Sequence, residues 1–214
     1  AFEALKENLL KRGFRETRAQ HRLISCDDVP VDIVPFGQVE DEESNIAWPP
    51  DGDWVMSVLG FQEVCENAEI VRIQDDPSVD IPVATPEGLA VLKLIAWTDR
   101  TLDLRGEDAK DLLYLLSNYE RIPAIKNSLY DNQDIMEKYD WDIELASAYQ
   151  LGVDAEEIAA DQTYDSIAEL FNGKHESLSV ELLVEEMCEH IDQQYDRNKQ
   201  LMNAFIDGFM NQAD

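Results

Sequence analysis

The sequence predicts an α+β fold in which a strand-containing region precedes a helical one. Short runs of β-branched residues separated by turn residues occur before residue 85. From Pro123 onward we find only patterns with helical spacing. The chain has 214 residues, of which 44% are hydrophobic, enough for one large domain or for a domain with a smaller helical one. We therefore predict an α/β domain over residues 1–122 and a helical C-terminal region over residues 123–214.

The first helix is predicted over residues 1–12. Apolar residues recur there at helical spacing, and Gly13 is placed to end the helix. The chain enters this pattern without an initiator methionine or a preceding cap. We therefore expect natural sequence upstream of Ala1 and an α/β domain that is incomplete at its N-terminus.

Four strands are predicted in two pairs. Residues 21–25 and 29–36 are joined by turn residues, and residues 69–73 and 80–84 flank a second turn. Between the two pairs, residues 54–68 are compatible with a short helix.

Thr85, Pro86 and Glu87 mark the start of a helix that runs to about Arg100. They supply a capping hydroxyl, a proline in the first turn and an acid near the positive end of the helix dipole. A further helix is predicted over about residues 107–119.

The rest of the sequence predicts helices only. They cover residues 123–130, 132–138, 140–151, 154–160 and 163–172, followed by a long helix over about 178–211. In the long helix, apolar residues recur every three or four positions and form a stripe. The stripe is explained either by core packing or by docking of a partner or a second copy.

The charge of the chain is strongly negative. Forty-six acidic residues against 17 basic ones give a net charge of −29. A field of that sign repels phosphate backbones, so nucleic-acid binding by the whole surface is disfavoured, although the basic residues within 11–22 could form a local exception. The acidity is explained by solubility or salt adaptation, or by attraction of divalent cations or of a basic partner protein.

The sequence also restricts the location of the protein. No apolar run approaches the roughly 20 residues needed to span a bilayer, so we expect no membrane association. Cys26, Cys65 and Cys188 are an odd and widely spaced set. Such a set indicates reduced thiols and a cytoplasmic chain.

Asp32 is the first candidate for chemistry. It lies within the apolar run VPVDIVPF, where a carboxylate is costly to bury unless it is paired or binds metal. Strand alternation places Asp32 and Val34 on one face and Val31 and Ile33 on the other. Asp32 could therefore project from a rigid sheet into a cleft as a hard oxygen ligand. The structural alternative is a carboxylate at the edge of the sheet.

Lys93 and Arg100 form the start of a second candidate group. They are seven residues apart, or two helical turns, and so share one helix face. On the next helix, Asp108 and Asp111 can pair with Arg105, with Lys110 or with the preceding helix. The group is either a salt-bridge network between two helices or a cationic wall for a triphosphate. No zinc-ligand spacing, nucleophile motif, GxGxxG motif or P-loop occurs in the sequence.

Several ordered blocks of the sequence resemble one protein family. They are LLKRGFRETRAQHRLI, VPVDIVPFG, IAWPPDGDWVMSVLGFQEV, IPVATPEGLAVLKLIAWTDR and RGEDAKDLLYLL. Over about residues 1–150, the chain resembles the nucleotidyltransferases related to the abortive-infection (AbiEii/AbiGii) toxins. The resemblance implies a small mixed β-sheet flanked by helices, and transfer of a nucleotide from a nucleoside triphosphate with magnesium (Mg2+).

The same resemblance implies three catalytic carboxylates. Two are expected in a G-S…D-x-D element on the first hairpin, and the third on a later strand, where Asp32 matches it as a catalytic residue and metal ligand. The G-S…D-x-D element is missing, so this chain alone should not catalyse, because one carboxylate cannot assemble a two-metal site.

The family pattern LxK…R…RxxDxxDL is matched by Lys93, Arg100, Arg105 and Asp108, with Asp111 as its last acid. These residues are implied to bind the nucleotide. Glu107 departs from the pattern, since a basic residue is expected there.

Two functions stay open at this point. The first is a toxin-type nucleotidyltransferase whose acceptor is RNA, a protein hydroxyl or a small molecule, with RNA doubtful because of the charge. The second is a catalytically inactive relative that binds an antitoxin or another protein partner. The oligomeric state cannot be derived from the sequence.

Overall fold

The structure is a computed structural model that describes residues 2–48, 54–188 and 194–211. Contacts divide the chain into two compact units, residues 1–58 (unit 1) and residues 59–214 (unit 2). Each unit has its own strands and helices. No helix of the described residues is long and apolar enough to cross a bilayer.

Unit 1 consists of one helix and two small antiparallel sheets. The helix is α1 (Phe2–Lys11), the first sheet has the order β1 (Arg15–Glu16), β2 (Arg22–Ile24) and β3 (Pro30–Asp32), and the second pairs β4 (Asn45–Trp48) with β5 (Trp54–Ser57). Alternation decides which side chains are buried: Leu23 is buried between neighbours that are not, and Ile46 and Trp48 are buried on either side of exposed Ala47.

Unit 2 begins with a short helix and a hairpin, and continues as helices. Its elements are α2 (Phe61–Glu66), β6 (Glu69–Asp75), β7 (Ser78–Val83), α3 (Pro86–Asp99), α4 (Leu102–Leu116), a 3₁₀ turn (Tyr119–Arg121), α5 (Pro123–Asp131), α6 (Gln133–Lys138), α7 (Ile143–Ile158), α8 (Asp161–Phe171), α9 (Val180–Met187) and α10 (Tyr195–Phe209). The predicted cap of α3 is confirmed, because the Thr85 hydroxyl accepts a hydrogen bond of 3.3 Å from the Gly88 N–H.

A large hydrophobic core holds most helices of unit 2 together, and a smaller one with Leu129 and Met136 lies at α5 and α6. The large core includes Trp97 and Leu112 from α3 and α4, and Phe205 and Phe209 from α10. The predicted domain boundary at residue 122 therefore falls inside unit 2, where helices from both sides of that position share one core. The apolar stripe of residues 178–211 packs into this core within α9 and α10, as the core-packing interpretation requires.

The α+β class and the helical C-terminal region are confirmed. A single small mixed sheet is not found among the described residues, whose strands form three separate antiparallel sheets. The reason is local: short turns join consecutive strands into hairpins, whereas a parallel pair needs a longer crossover.

Four of the predicted helices have different bounds. The segment 54–68 begins as strand β5 before α2, and the segments 140–151 and 154–160 form the single helix α7. The predicted long helix is divided, since α9 ends at Met187 and α10 begins at Tyr195. Residues 189–193 of the predicted helix lie outside the described residues.

Candidate functional site

Asp32 ends strand β3 in unit 1, directly opposite Arg22 of β2. The Arg22 guanidinium donates from Nε to Oδ1 and from Nη2 to Oδ2 of Asp32, each at 2.7 Å. The Asp32 side chain is 41% exposed. Asp32 therefore lies on a strand, as predicted, but at its end and not in its middle, because the strand spans Pro30–Asp32 and not residues 29–36. The carboxylate is oriented by a two-point ion pair across the hairpin.

His21 and Trp48 adjoin this ion pair. The Nε2 atom of His21 lies 3.9 Å from Oδ1 of Asp32, and its ring lies against Trp48 with centroids 5.4 Å apart. Burial lowers the pKa of His21, and Arg22 lowers it further, while Asp32 opposes the shift. From the sequence, Arg22 is predicted only as part of the basic segment 11–22, and neither His21 nor Arg22 is predicted to contact Asp32. The antiparallel register of the two predicted strands was the signal that could have identified them, because it places residue 22 opposite residue 32.

Among the described residues, Asp32 is not part of a group of metal ligands. A magnesium site built from protein groups requires several oxygen donors around one point. Within residues 2–48, 54–188 and 194–211, no three His, Cys, Asp or Glu residues form a group that could hold a metal ion. The described residues therefore supply one carboxylate and not a complete two-metal site.

Asp108 organises the second candidate group, in unit 2. Its side chain is 0% exposed and projects from α4 toward α3. Lys93 Nζ donates to Oδ1 at 3.0 Å, and Arg100 Nη1 donates to Oδ2 at 2.7 Å. The predicted common face of Lys93 and Arg100 is therefore confirmed, since both reach the same carboxylate.

Lys93 has a second acidic partner. Its Nζ lies 2.6 Å from Oδ2 of Asp111. Burial opposes the charged lysine, but the hydrogen bonds to Asp111 and Asp108 outweigh it and raise the pKa of Lys93. Two cations and two carboxylates then cancel, because Lys93, Arg100, Asp108 and Asp111 sum to 2 − 2 = 0.

Arg105 lies in a different group from Lys93. Its guanidinium pairs with Glu186 of α9, with Nη2 at 2.7 Å from Oε1. The Trp97 indole N–H donates to the same carboxylate at 2.7 Å, and the guanidinium lies 5.4 Å from the Trp97 ring centroid. These contacts fasten α4 to α9. Sequence reasoning missed Glu186 because it is 81 residues away from Arg105.

The predicted site residues thus occupy three groups of contacts. Asp32 belongs to unit 1, whereas Lys93, Arg100 and Asp108 form one network of unit 2 and Arg105 another. The unit 2 groups have the geometry expected of a salt-bridge network between helices. Nucleotide binding by these residues stays a prediction.

Comparisons with known proteins do not identify a family for this chain. Neither family models, nor curated proteins, nor solved structures give a significant match to the chain.

Proposed function

We propose that the chain forms part of a magnesium-dependent nucleotidyltransferase of the abortive-infection toxin type, in which Asp32 is one metal-binding carboxylate. The observation that carries the proposal is the position of Asp32 at the end of a strand, partly exposed and held in one orientation by Arg22. A carboxylate fixed by regular structure is what a metal-dependent transfer site requires. The sequence resemblance supplies the reaction class.

The proposal requires carboxylates beyond those of the described residues. The G-S…D-x-D element implied by the resemblance does not occur in the sequence, so this sequence does not supply its two carboxylates. It also requires Asp32 to give up its hydrogen bonds from Arg22 and to bind a magnesium ion instead. Such an exchange costs little, because exposed ion pairs contribute little to stability.

Transfer would join an acceptor hydroxyl oxygen to the α-phosphorus of a nucleoside triphosphate and release pyrophosphate. The acceptor is not assigned. A protein hydroxyl or a small molecule suits the net charge of −29 better than RNA does. The neutral balance of the Lys93 and Arg100 network means that these cations would bind phosphate only by giving up contacts to Asp108.

The test compares Asp32→Asn with a matched control in the full protein. Asp80 is a suitable control, because it too pairs with an arginine, Arg72, across a hairpin and has a similar exposure. Incubation with α-labelled nucleoside triphosphates and magnesium should give transfer by the wild type and by Asp80→Asn. We expect Asp32→Asn to lose about 100-fold or more of that rate, as removal of a metal ligand does.

Two results would overturn parts of the proposal. Equal transfer by wild type and Asp32→Asn would remove Asp32 from the site. No transfer by the wild type with any nucleotide would instead favour the second candidate, a non-catalytic module that binds an antitoxin or another protein. The observation favouring that candidate is the carboxylate partner found on each of Lys93, Arg100 and Arg105.

A further inference from the structure

Hairpin β6–β7 of unit 2 differs from the other strand pairs in its exposure. Every residue of both strands is exposed. In β4, by contrast, Ile46 and Trp48 are each only 5% exposed. A two-stranded hairpin with no packed face is only marginally stable in water by itself. Packing of another surface against β6–β7 would therefore stabilise the hairpin.

One face of this hairpin is mainly apolar, although Glu69 opposite Val83 and Gln74 opposite Val79 also lie on it. Val71 lies opposite Ile81 in the antiparallel register, and strand alternation places Val79 and Val83 on the same face as Ile81. These four side chains are 36–41% exposed. Ile73, at the register shift beside them, is also exposed. A contiguous set of exposed β-branched side chains on a soluble surface marks an interaction site.

The other face is mixed, which provides an internal comparison. It has Arg72 paired with Asp80, beside Ile70 opposite Pro82. Ile70 is 69% exposed, and the Arg72–Asp80 ion pair lies next to it on that face. The apolar side chains are therefore concentrated on the Val71–Ile81 face.

Charge restricts what can cover the apolar face. Residues 61–83 contain six acidic residues and one basic residue, Arg72, which is already paired with Asp80. A second copy of this chain, a nucleic acid and an anionic bilayer are all repelled by a surface of this sign. A protein with lysine or arginine around its own apolar side chains is attracted.

We propose that the Val71–Ile81 face of hairpin β6–β7 is the docking surface for a partner protein that presents apolar side chains flanked by lysine or arginine residues. The contact combines burial of the four β-branched side chains with attraction to the acidic residues of segment 61–83. It does not depend on the proposed transfer activity, since Asp32 and the transfer assay are not involved.

The test uses a labelled synthetic peptide of alternating valine and lysine as the probe. Two matched peptides replace every valine with serine or every lysine with glutamate. Fluorescence anisotropy against the full chain should show binding of the valine–lysine peptide at least about tenfold tighter than binding of either control, because both burial and charge are needed.

The variants separate docking from charge attraction alone. Val71→Ser combined with Ile81→Ser should weaken binding of the valine–lysine peptide by about tenfold or more. Ile70→Ser removes a more exposed isoleucine from the opposite face and should leave binding within about twofold. All of these positions are exposed, so circular dichroism and thermal melting should show unchanged folding.

Three outcomes would overturn the proposal. Equal binding of the serine–lysine peptide would mean that the attraction is charge alone. Equal weakening by Ile70→Ser would remove the assignment to one face. Self-association of the wild type in sedimentation, abolished by the double serine variant, would make a second copy the occupant.

Discussion

Helices α7 and α10 cross with their backbones in close approach, whereas among the described residues no layer packs on either face of strands β6 and β7. At the helix crossing, a Cβ added to Gly152 would lie 2.1 Å from the Phe205 carbonyl oxygen, and one added to Gly208 would lie 2.0 Å from the Tyr149 carbonyl oxygen. In the hairpin, even β-branched side chains remain exposed. Within unit 2, the α7–α10 crossing is packed by residues of this chain, whereas the side chains of hairpin β6–β7 are exposed.

The ion pairs of the protein show the same contrast. Asp108 is fully buried between two cations, so its loss removes the carboxylate with which Arg100 pairs and leaves Lys93 with Asp111. Asp32 and Asp80 pair with arginines across hairpins and are partly exposed. We therefore expect substitutions in the helical core to act on folding, and substitutions of these partly exposed strand carboxylates to change stability little.

The largest effect is expected at the helix crossing. Gly152→Ala places a methyl group where the α10 backbone lies, and backbone cannot rotate away as a side chain can. We expect a loss of at least about 3 kcal/mol in the free energy of unfolding, or failure to fold. Gly106→Ala in α4 is the control, because its Cβ would meet nothing within 4 Å. Urea denaturation should show Gly106→Ala to be neutral or stabilising, and equal losses in both variants would contradict the close crossing.

The next largest effect is expected from Asp108→Asn. It removes the charge that holds Lys93 and Arg100, and we expect a loss of about 2–3 kcal/mol, reduced because both cations are partly exposed. Asp111→Asn removes a carboxylate whose side chain is largely exposed and should cost less than about 1 kcal/mol. If chemical denaturation gave the two variants the same midpoint, the burial of Asp108 would not determine its contribution.

A smaller and pH-dependent effect is expected at Asp142, the N-cap of α7. Its hydrogen bonds from Arg197 of α10 lower its pKa, burial opposes the shift, and the Leu145 N–H adds to it. A folded-state pKa below the unfolded value of about 3.9 stabilises the protein at neutral pH, and this stabilisation is lost as pH falls through the folded pKa.

Asp142→Asn tests this linkage while keeping a good capping residue. At pH 7 we expect the variant to be less stable by about 0.5–1 kcal/mol, discounted because both partners are about a third exposed. The difference from wild type should begin to shrink as pH falls below about 3.9 and should disappear only below the lowered pKa of Asp142 in the folded protein. A difference of the same size at pH 7 and pH 3 would show that the ion pair is not its cause.

The smallest effect on folding is expected from Asp32→Asn. The Arg22–Asp32 pair lies on an exposed hairpin, where solvent screens the interaction. We expect no change in the urea midpoint outside experimental error, so that any change in transfer or nucleotide binding reports chemistry. A large shift of the midpoint would show that the hairpin depends on this pair, and would make Asp32 a structural residue.

Local sequence patterns predicted most of the elements. The Thr85 cap, the hairpin at residues 69–83 and the strand containing Asp32 were found because caps, turns and β-branched runs are encoded over a few residues. The prediction placed a helix boundary near Gly152, where α7 is continuous. Glycine there serves the crossing with α10, and that requirement arises from residues more than fifty positions away.

The candidate site shows the same limit. Sequence spacing correctly placed Lys93 and Arg100 on one face, because helical periodicity is local. It grouped Arg105 with them, although Arg105 binds Glu186 and lies over Trp97. Spacing along a helix determines the direction of a side chain, but only the packing of distant helices determines which partner lies there.

By itself, the sequence determined the α+β class, the net charge, the caps and turns, and the strand that carries Asp32, since each depends on composition or on short-range backbone preference. Only the tertiary structure decided that the strands form separate antiparallel sheets, that Asp108 is buried between two cations, and that the β6–β7 face lacks a covering layer. The physical reason is that burial and pairing depend on which distant surfaces exclude water together, and short-range sequence patterns do not specify those surfaces.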